Sequence, residues 1–329
     1  MKKLLFSFLL FLISTFLIVG VILSTFGIET KKFNNFISAK INQNNSDINV
    51  KLNTIKFKLD VNEISLFLET NNPNINYRET LVPATNIKVY MDFISLIKND
   101  PKIKKINIIF NQLDISQLKK ISKELKPSNT RSLIKNKLSK GILDAELEIF
   151  LDKDNLLDNF IAKGKVKKFK ANIADNFKLE NASFNFFADK SDVLISNFVG
   201  EIGPLKLTKG DLKFKISSEI SIESNFQAIL VYQNDKTNRN KLIEKINIFE
   251  NISNLNIDSN NNLKLTFDKT YKVKKYNFFS KGKIKNANLE FKNSLKNYLS
   301  NEIIEKINLV ETDFKFNISQ KKNIAELIG

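Results

Sequence analysis

At 329 residues, 42% of them hydrophobic and 26% charged, the chain has the length of about two domains and the composition of a folded protein. The absence of Cys and His excludes disulfides, thiol nucleophiles, zinc centres and every histidine-dependent base or triad, so only carboxylates, Lys and hydroxyls remain for chemistry. The formal charge of +17 does not point to a nucleic-acid reader, because Arg78, Arg131 and Arg239 are the only Arg residues and the Lys residues are spread along alternating segments.

Leu4 to Ile28 carries no charge, and at about 1.5 Å per residue it reaches roughly 37 Å, enough to cross a bilayer with some tilt. A cleaved signal peptide would have a shorter apolar run and a small-x-small site, whereas Ser24-Thr25-Phe26-Gly27-Ile28 leads straight into Glu29, so an uncleaved anchor is expected. Lys2 and Lys3 nearly balance Lys31 and Lys32. The short N-terminal tail then places the N-terminus in the cytoplasm and the bulk of the chain in the periplasm.

Phe33, Phe36, Ile37 and Ala39 to Ile41 recur at helical spacing and predict a short amphipathic helix that ends at the turn Asn42 to Ser46. Alternation follows: Ile55, Phe57, Leu59 and Val61, then Ile64, Leu66 and Leu68, then Ile87, Val89 and Met91, with Asn71-Asn72-Pro73-Asn74 as a turn. A strand through Ile106, Ile108 and Phe110 leads to a helix over Ser116 to Leu125, stopped by Pro127. Strands resume at Leu143, Ala145, Leu147 and Ile149, recur at Leu263, Leu265 and Phe267 and at Phe314, Phe316 and Ile318, and are interrupted by predicted helices around Lys241 to Phe249 and Leu295 to Ile307.

The longest alternation runs from Leu212 to Tyr232. Its even positions are apolar except Ser218 and Ser224, and its odd positions are mostly polar, so it predicts a strand stretch with one oily and one wet face. Leaving about eight such side chains in water, at roughly 1.5 to 3 kcal/mol each, would exceed the whole stability of a typical domain. Something must shield that face. The core of a sandwich or closed barrel would do so, and so would an open, curved sheet that holds acyl chains.

The acidic cluster Asp152, Asp154 and Asp158 fails a calcium-loop template, because Leu156 and Leu157 stand where a ligand and the turn Gly belong, and it reads as a polar hairpin turn. No Gly-rich phosphate loop is present, and no metal, cofactor or enzymatic activity is expected. An internal likeness joins Asn159-Phe160-Ile161-Ala162-Lys163-Gly164-Lys165-Val166-Lys167 to Asn277-Phe278-Phe279-Ser280-Lys281-Gly282-Lys283-Ile284-Lys285. Downstream of the two copies stand Phe184-Asn185-Phe186 and Phe314-Lys315-Phe316.

The anchor Leu4 to Ile28, the Phe33 to Ile41 helix, the strands Ile55 to Val61 and Ile87 to Met91, the Phe93 to Ile97 segment, the strand Lys102 to Phe110 with its Ser116 helix, and the Lys-Gly and Phe-x-Phe units together resemble the AsmA-like family of TamB and YhdP type. The resemblance implies a mainly β chain with a few short helices: an anchor over 1–28, a chorein-like region over 29–126, and a repeating, extended antiparallel β-groove over 127–329. Relatives of this type are longer, so a shortened form ending at Ala325 to Gly329 is expected. The resemblance further implies an inner-membrane protein whose partners are phospholipids and whose role is outer-membrane lipid homeostasis; the alternative is a scaffold for outer-membrane protein or envelope-complex assembly. Groove-facing candidates are Ile55, Phe57, Leu59, Leu212, Phe214, Ile216, Ile220, Ile222 and Phe226.

Overall fold

The computed structural model describes residues 2–31, 34, 38, 47–52, 54–63, 65–91, 102–124, 126–152, 154, 156–174, 177–217, 219–234, 249–268, 270, 272–296 and 302–328. Helix α1 (Lys2–Thr25) is long and apolar enough to cross a bilayer, with a mean hydropathy of 2.7 over Phe6–Thr25 and none of that window buried. Its hydroxyls do not break the apolar surface, since Ser14 and Thr15 donate to the Phe11 carbonyl and Ser24 and Thr25 to that of Val21. The helix stops short of Ile28 because Gly27 turns left-handed (φ +70°) and its N–H, with that of Phe26, closes on the Ile22 carbonyl. A Cβ on Gly27 would sit 2.9 Å from the Phe57 carbonyl oxygen, so only Gly admits this approach.

The rest is mostly strand. The first compact unit (Met1–Leu113, Gln117–Pro127 and Leu143–Ala162) holds β1 (Ile28–Thr30), β2 (Ile48–Lys51), β3 (Ile55–Asp60), β4 (Ser65–Asn71), β5 (Asn74–Tyr77), β6 (Thr80–Val82), β7 (Asn86–Met91), most of β8 (Ile103–Asp114) and most of α2 (Ile115–Glu124). The second unit (Asp114–Ser116, Ser128–Ile142 and Lys163–Gly329) holds α3 (Asn129–Lys137), β11 (Phe177–Ala188), β12 (Asp192–Ile202), β13 (Leu205–Ile216), β14 (Ile220–Gln233), β15 (Phe249–Phe267), β16 (Val273–Lys296), β17 (Ile303–Ser319) and β18 (Asn323–Ile328). Strands β9 (Leu138–Leu151) and β10 (Leu157–Ala174) contribute residues to both. One open antiparallel sheet of 15 strands runs β1-β3-β4-β7-β8 and then in sequence from β9 to β18, while β2, β5 and β6 form a small separate sheet.

The stretch from Leu212 to Tyr232 is a hairpin and not a single strand. Ile216 pairs with Ile220 across Ser217 to Glu219, so the short loop keeps even-numbered residues of both strands on one side, and the alternation passes through the turn unbroken. The helix expected over Leu295 to Ile307 is corrected as well: Leu295 pairs with Ile304 and Lys296 with Ile303, extending the β16–β17 ladder, whose hydrogen bonds outweigh a short helical periodicity. Phe249 opens β15, and the rest of the helix expected from Lys241 lies outside the described residues, as do Ile64, the Phe93 to Ile97 segment and the Phe33 to Ile41 helix apart from Asn34 and Ser38. The Ser116 to Leu125 helix is present as α2.

Asp152 forms the predicted polar turn between β9 and β10: its Oδ1 accepts from the N–H groups of Asp154 and Leu156, both at 2.9 Å. The two copies of the internal likeness also occupy corresponding places, one in β10 and the other in β16, with the Phe-x-Phe units in the strands that follow them.

Several strands bend at non-Gly residues of positive φ, namely Lys168 in β10, Asn181 in β11, Asn197 in β12 and Glu311 in β17. Ladder register shifts accompany Asn181, and β13 shifts between Leu207 and Lys209. Each such bulge adds a residue and reverses which parity faces which side. In β11 the covered face therefore reads Leu179, then Ala182, Phe184 and Phe186.

Gly282 lies at a close approach of strands, since a Cβ there would lie 2.0 Å from the Asp258 carbonyl oxygen. Gly282→Ala is expected to lower stability by about 1–3 kcal/mol through strand displacement. Gly20→Ala, with open space around it, should leave the urea midpoint unchanged.

Candidate functional site

Directly paired residues share a side of the sheet, so the registers map each face. In the second unit one face carries Val193, Ile195 and Ile202 from β12 and Leu205, Leu207, Leu212 and Phe214 from β13. It continues through Ile220, Ile222, Phe226, Leu230 and Tyr232 of β14 to Leu255, Ile257, Leu263, Leu265 and Phe267 of β15. Tyr276, Phe278, Ile284 and Leu289 of β16 and Leu309, Phe314 and Phe316 of β17 complete it. The opposite face holds cross-strand ion pairs, among them Lys285–Asp258 at 2.7 Å, Lys274–Glu219 at 2.9 Å and Lys264–Glu223 at 3.7 Å. Such exposed pairs are screened by solvent, add little stability and chiefly mark that face as the wet one.

The apolar face is not uniform. Toward one end Tyr232, Ile252, Leu255, Ile284, Ala287 and Phe314 form a buried cluster against Leu230, Ile257, Leu309 and Phe316. Toward the hairpin that joins β13 to β14, Phe214, Ile220 and Ile222 are only half-buried, and Val273 and Tyr276 are 47% and 38% exposed. From β11 to β18 the ladder neighbours pack closely against one another. Phe314, 3% exposed, is closed in by the cluster and lies 4.9 Å from the Phe316 ring, centroid to centroid. Small residues let strands approach closely on this face: Phe314 stands opposite Gly282, and a Cβ on Gly200 would lie 3.0 Å from Ala182. The rings of Phe169, Phe184 and Phe198 form a cross-strand column, with centroids 5.5 and 5.7 Å apart.

A polar strip crosses the same face. Ser224, Asn261, Ser280 and Thr312 are buried there, and Asn261 Nδ2 donates to Ser259 Oγ at 3.0 Å while Ser259 Oγ donates to the Ala228 carbonyl at 3.2 Å. The only sequence signal of this strip within the Leu212 to Tyr232 run is Ser224 itself. Asn before Ala, as at Asn181-Ala182, is the legible sign of a bulge, because Asn tolerates the left-handed region and the next small side chain turns inward.

The first unit builds a face of its own. Ile55, Phe57 and Leu59 pair with Thr70, Leu68 and Leu66, which pair in turn with Ile87, Val89 and Met91, and Ile106 and Ile108 extend the row. Ile55 is buried; Phe57 and Leu59 are half-buried. The nine groove candidates therefore fall into two sets, Ile55, Phe57 and Leu59 on this face, and Leu212, Phe214, Ile220, Ile222 and Phe226 on the second unit's, with Ile216 placed there by register.

The reverse side of the first unit carries a compact polar network. Lys105 is ion-paired to Glu63 and lies 4.2 Å from the Tyr90 ring centroid, Tyr90 stacks on Phe67, and Tyr90 Oη donates to Asp60 Oδ2 at 3.2 Å. Burial, with the negative charge of Asp60, Glu63 and Glu148, pushes the Tyr90 phenol far above its ordinary 10.0. Burial alone would raise the Glu69 carboxyl, but hydrogen bonds from Lys58 and Asn86 and the charges of Lys58 and Lys88 hold it below the usual carboxylate value. Sequence reading missed this cluster, because Tyr90 and Lys105 occupy positions that alternation assigns to solvent.

No group of three or more metal-ligating side chains occurs among the described residues. No protein-family model matches the chain, and no curated protein or solved structure matches it.

Two outcomes follow from this geometry. Phe314→Ala is expected to cost about 3–5 kcal/mol and Tyr276→Ala about 1 kcal/mol or less in urea unfolding, because only the first empties a closed site. A Tyr90 pKa raised in the fold gives stability that is full below pH 10 and lost as pH rises beyond it. Tyr90→Phe should therefore flatten the alkaline limb of the stability curve above pH 10 relative to the unsubstituted chain, at the cost of the Asp60 hydrogen bond at neutral pH.

Proposed function

We propose that this chain is a membrane-anchored β-groove protein of AsmA-like type that binds or conducts phospholipid acyl chains along the apolar face of its second unit. The observation that carries the reading is the gradient along that face, closed around Phe314 and half-open at Phe214, Ile222 and Tyr276. A closed core has no use for a half-exposed row of Phe, Ile and Tyr, whereas an acyl chain gains roughly 0.8 kcal/mol for each CH₂ it buries there. Lys residues on the opposite face and at the strand ends suit anionic headgroups near the rim.

Helix α1 supplies the anchor. In this reading it lies in the inner membrane with Lys2 and Lys3 in the cytoplasm and the sheet in the periplasm, where it supports outer-membrane lipid homeostasis. The competing scaffold reading draws on the dry cluster around Ile284 and Ala287, and it requires protein partners without lipid.

A photo-crosslinking residue at Phe214 or Ile220 is expected to capture phospholipid in cells, and one at Lys213 or Glu219 on the wet face is not. Equal capture at both pairs of positions would remove the lipid reading. Native mass spectrometry of the detergent-extracted chain separates it from the scaffold, since only the groove carries lipid through purification.

A further inference from the structure

We infer that the first copy of the internal likeness builds a phosphate-binding site on the wet face of the second unit, opposite the apolar rows and independent of any acyl chain held there. Lys165, Lys167 and Lys168 of β10 line one pocket of about 340 Å³ with Asn181 and Ser183 of β11, and among the described residues no carboxylate lines it. The three Lys residues are exposed. Val166 between them is buried and the Phe169 ring packs edge-on to Phe184, so the Lys side chains turn to the other side of the sheet.

Two strand bends bring these groups together. In regular alternation Lys167 and Lys168 would point to opposite sides, but Lys168 takes the left-handed region (φ +51°), and Phe169 is the residue that returns to the apolar side. Asn181 (φ +50°) does the same in β11, ahead of the buried Ala182. Asn suits that region and Lys does not, so a Lys is held in a strained conformation where its charge joins two others at one pocket. Glu311, a charged residue placed in the same way in β17, meets Lys283 at 3.1 Å. Lys168 has no ion-pair partner among the described residues.

The second copy of the likeness differs in what answers its charges. Lys283 stands where the first copy has Lys165; it is paired with Glu311, and the groove over it is lined by Asp258 and Asp313 as well as by Lys281 and Lys315. That copy is largely neutralised within the chain. Lys165 has no ion-pair partner among the described residues, and two carboxylates of β11 and β12 are turned elsewhere: Glu180 meets Lys170 at 3.3 Å, and Glu201 accepts from the Asn181 amide at 3.1 Å. Ammonium groups gathered in this way repel one another, and an anion seated between them removes that repulsion. Several ammonium donors around one pocket, with the Ser183 hydroxyl beside them, match a phosphate, whose oxygens accept in several directions, better than a planar carboxylate. The phosphate is either free or part of a lipid headgroup.

The full-length chain in phosphatidylcholine nanodiscs is expected to bind inorganic pyrophosphate saturably in isothermal titration. Lys165→Gln and Lys168→Asn should each weaken binding about tenfold, the worth of one charge-assisted hydrogen bond. The second of these keeps the strand bend, because Asn accepts the left-handed region. Lys283→Gln and Lys274→Gln remove the same charge from paired positions on the same face and should leave the affinity unchanged. Displacement of pyrophosphate by phosphatidylcholine–phosphatidic acid vesicles, and not by phosphatidylcholine vesicles, assigns the site to a headgroup; pyrophosphate binding that neither vesicle competes assigns it to free phosphate. Absence of saturable pyrophosphate binding, or equal affinity across the four variants, would overturn the proposal, the latter marking general attraction to net charge.

Discussion

A β-sheet with one apolar face must keep that face from water, and most of the second unit follows from this constraint. Burying large side chains is worth about 1.5–3 kcal/mol each, so a face of Phe, Ile and Leu cannot stay fully wet. Lateral packing answers it. Ala182, Ala228, Ala287, Gly200 and Gly282 leave room into which Phe314, Leu179 and their neighbours lean, and the close approach of strands at Gly282 shows how little slack remains.

The bulges serve the same end. A left-handed Asn181, Asn197 or Glu311 bends its strand and swaps parity, which lets strands that begin out of phase deliver apolar residues to one side along their whole length. The buried polar strip of Ser224, Asn261, Ser280 and Thr312 is compatible with this packing because its members are small and Asn261 spends its donors on Ser259 and the Phe226 carbonyl. Packing thus closes one part of the face and leaves another half-open, and it is this unevenness, more than apolarity itself, that gives a lipid-binding reading its physical basis.

The first unit reverses the arrangement. Its Ile and Leu rows are backed by a charged and aromatic network in which Tyr90 and Lys105 are themselves buried and held by Asp60, Glu63 and Phe67. Gly27 ties the end of α1 to Phe57 and Lys58, and Lys56 meets Glu29 at 3.1 Å, so α1 passes into the sheet through β1 without a free linker.

Alternation is a property of the strand backbone, and the sequence by itself therefore determined much: the mainly β class, the long apolar N-terminal helix, the Asp152 turn, the two faces of the Leu212 to Tyr232 stretch and the exclusion of thiol and imidazole chemistry. That stretch was legible because β14 has no bulge and its turn preserves parity. Elsewhere the same counting fails, since a left-handed residue such as Asn197 or Glu311 shifts the face by one residue within its strand. The helical spacing over Leu295 to Ile307 misled for a related reason: a ladder partner, not local propensity, decided its state. Only the tertiary structure could decide which residues oppose one another across strands, that Tyr90 and Lys105 are covered, and that the face closes at Phe314 while it half-opens at Phe214. Burial depends on neighbours brought together by register and strand bending, and those are relations between distant segments that no local pattern encodes.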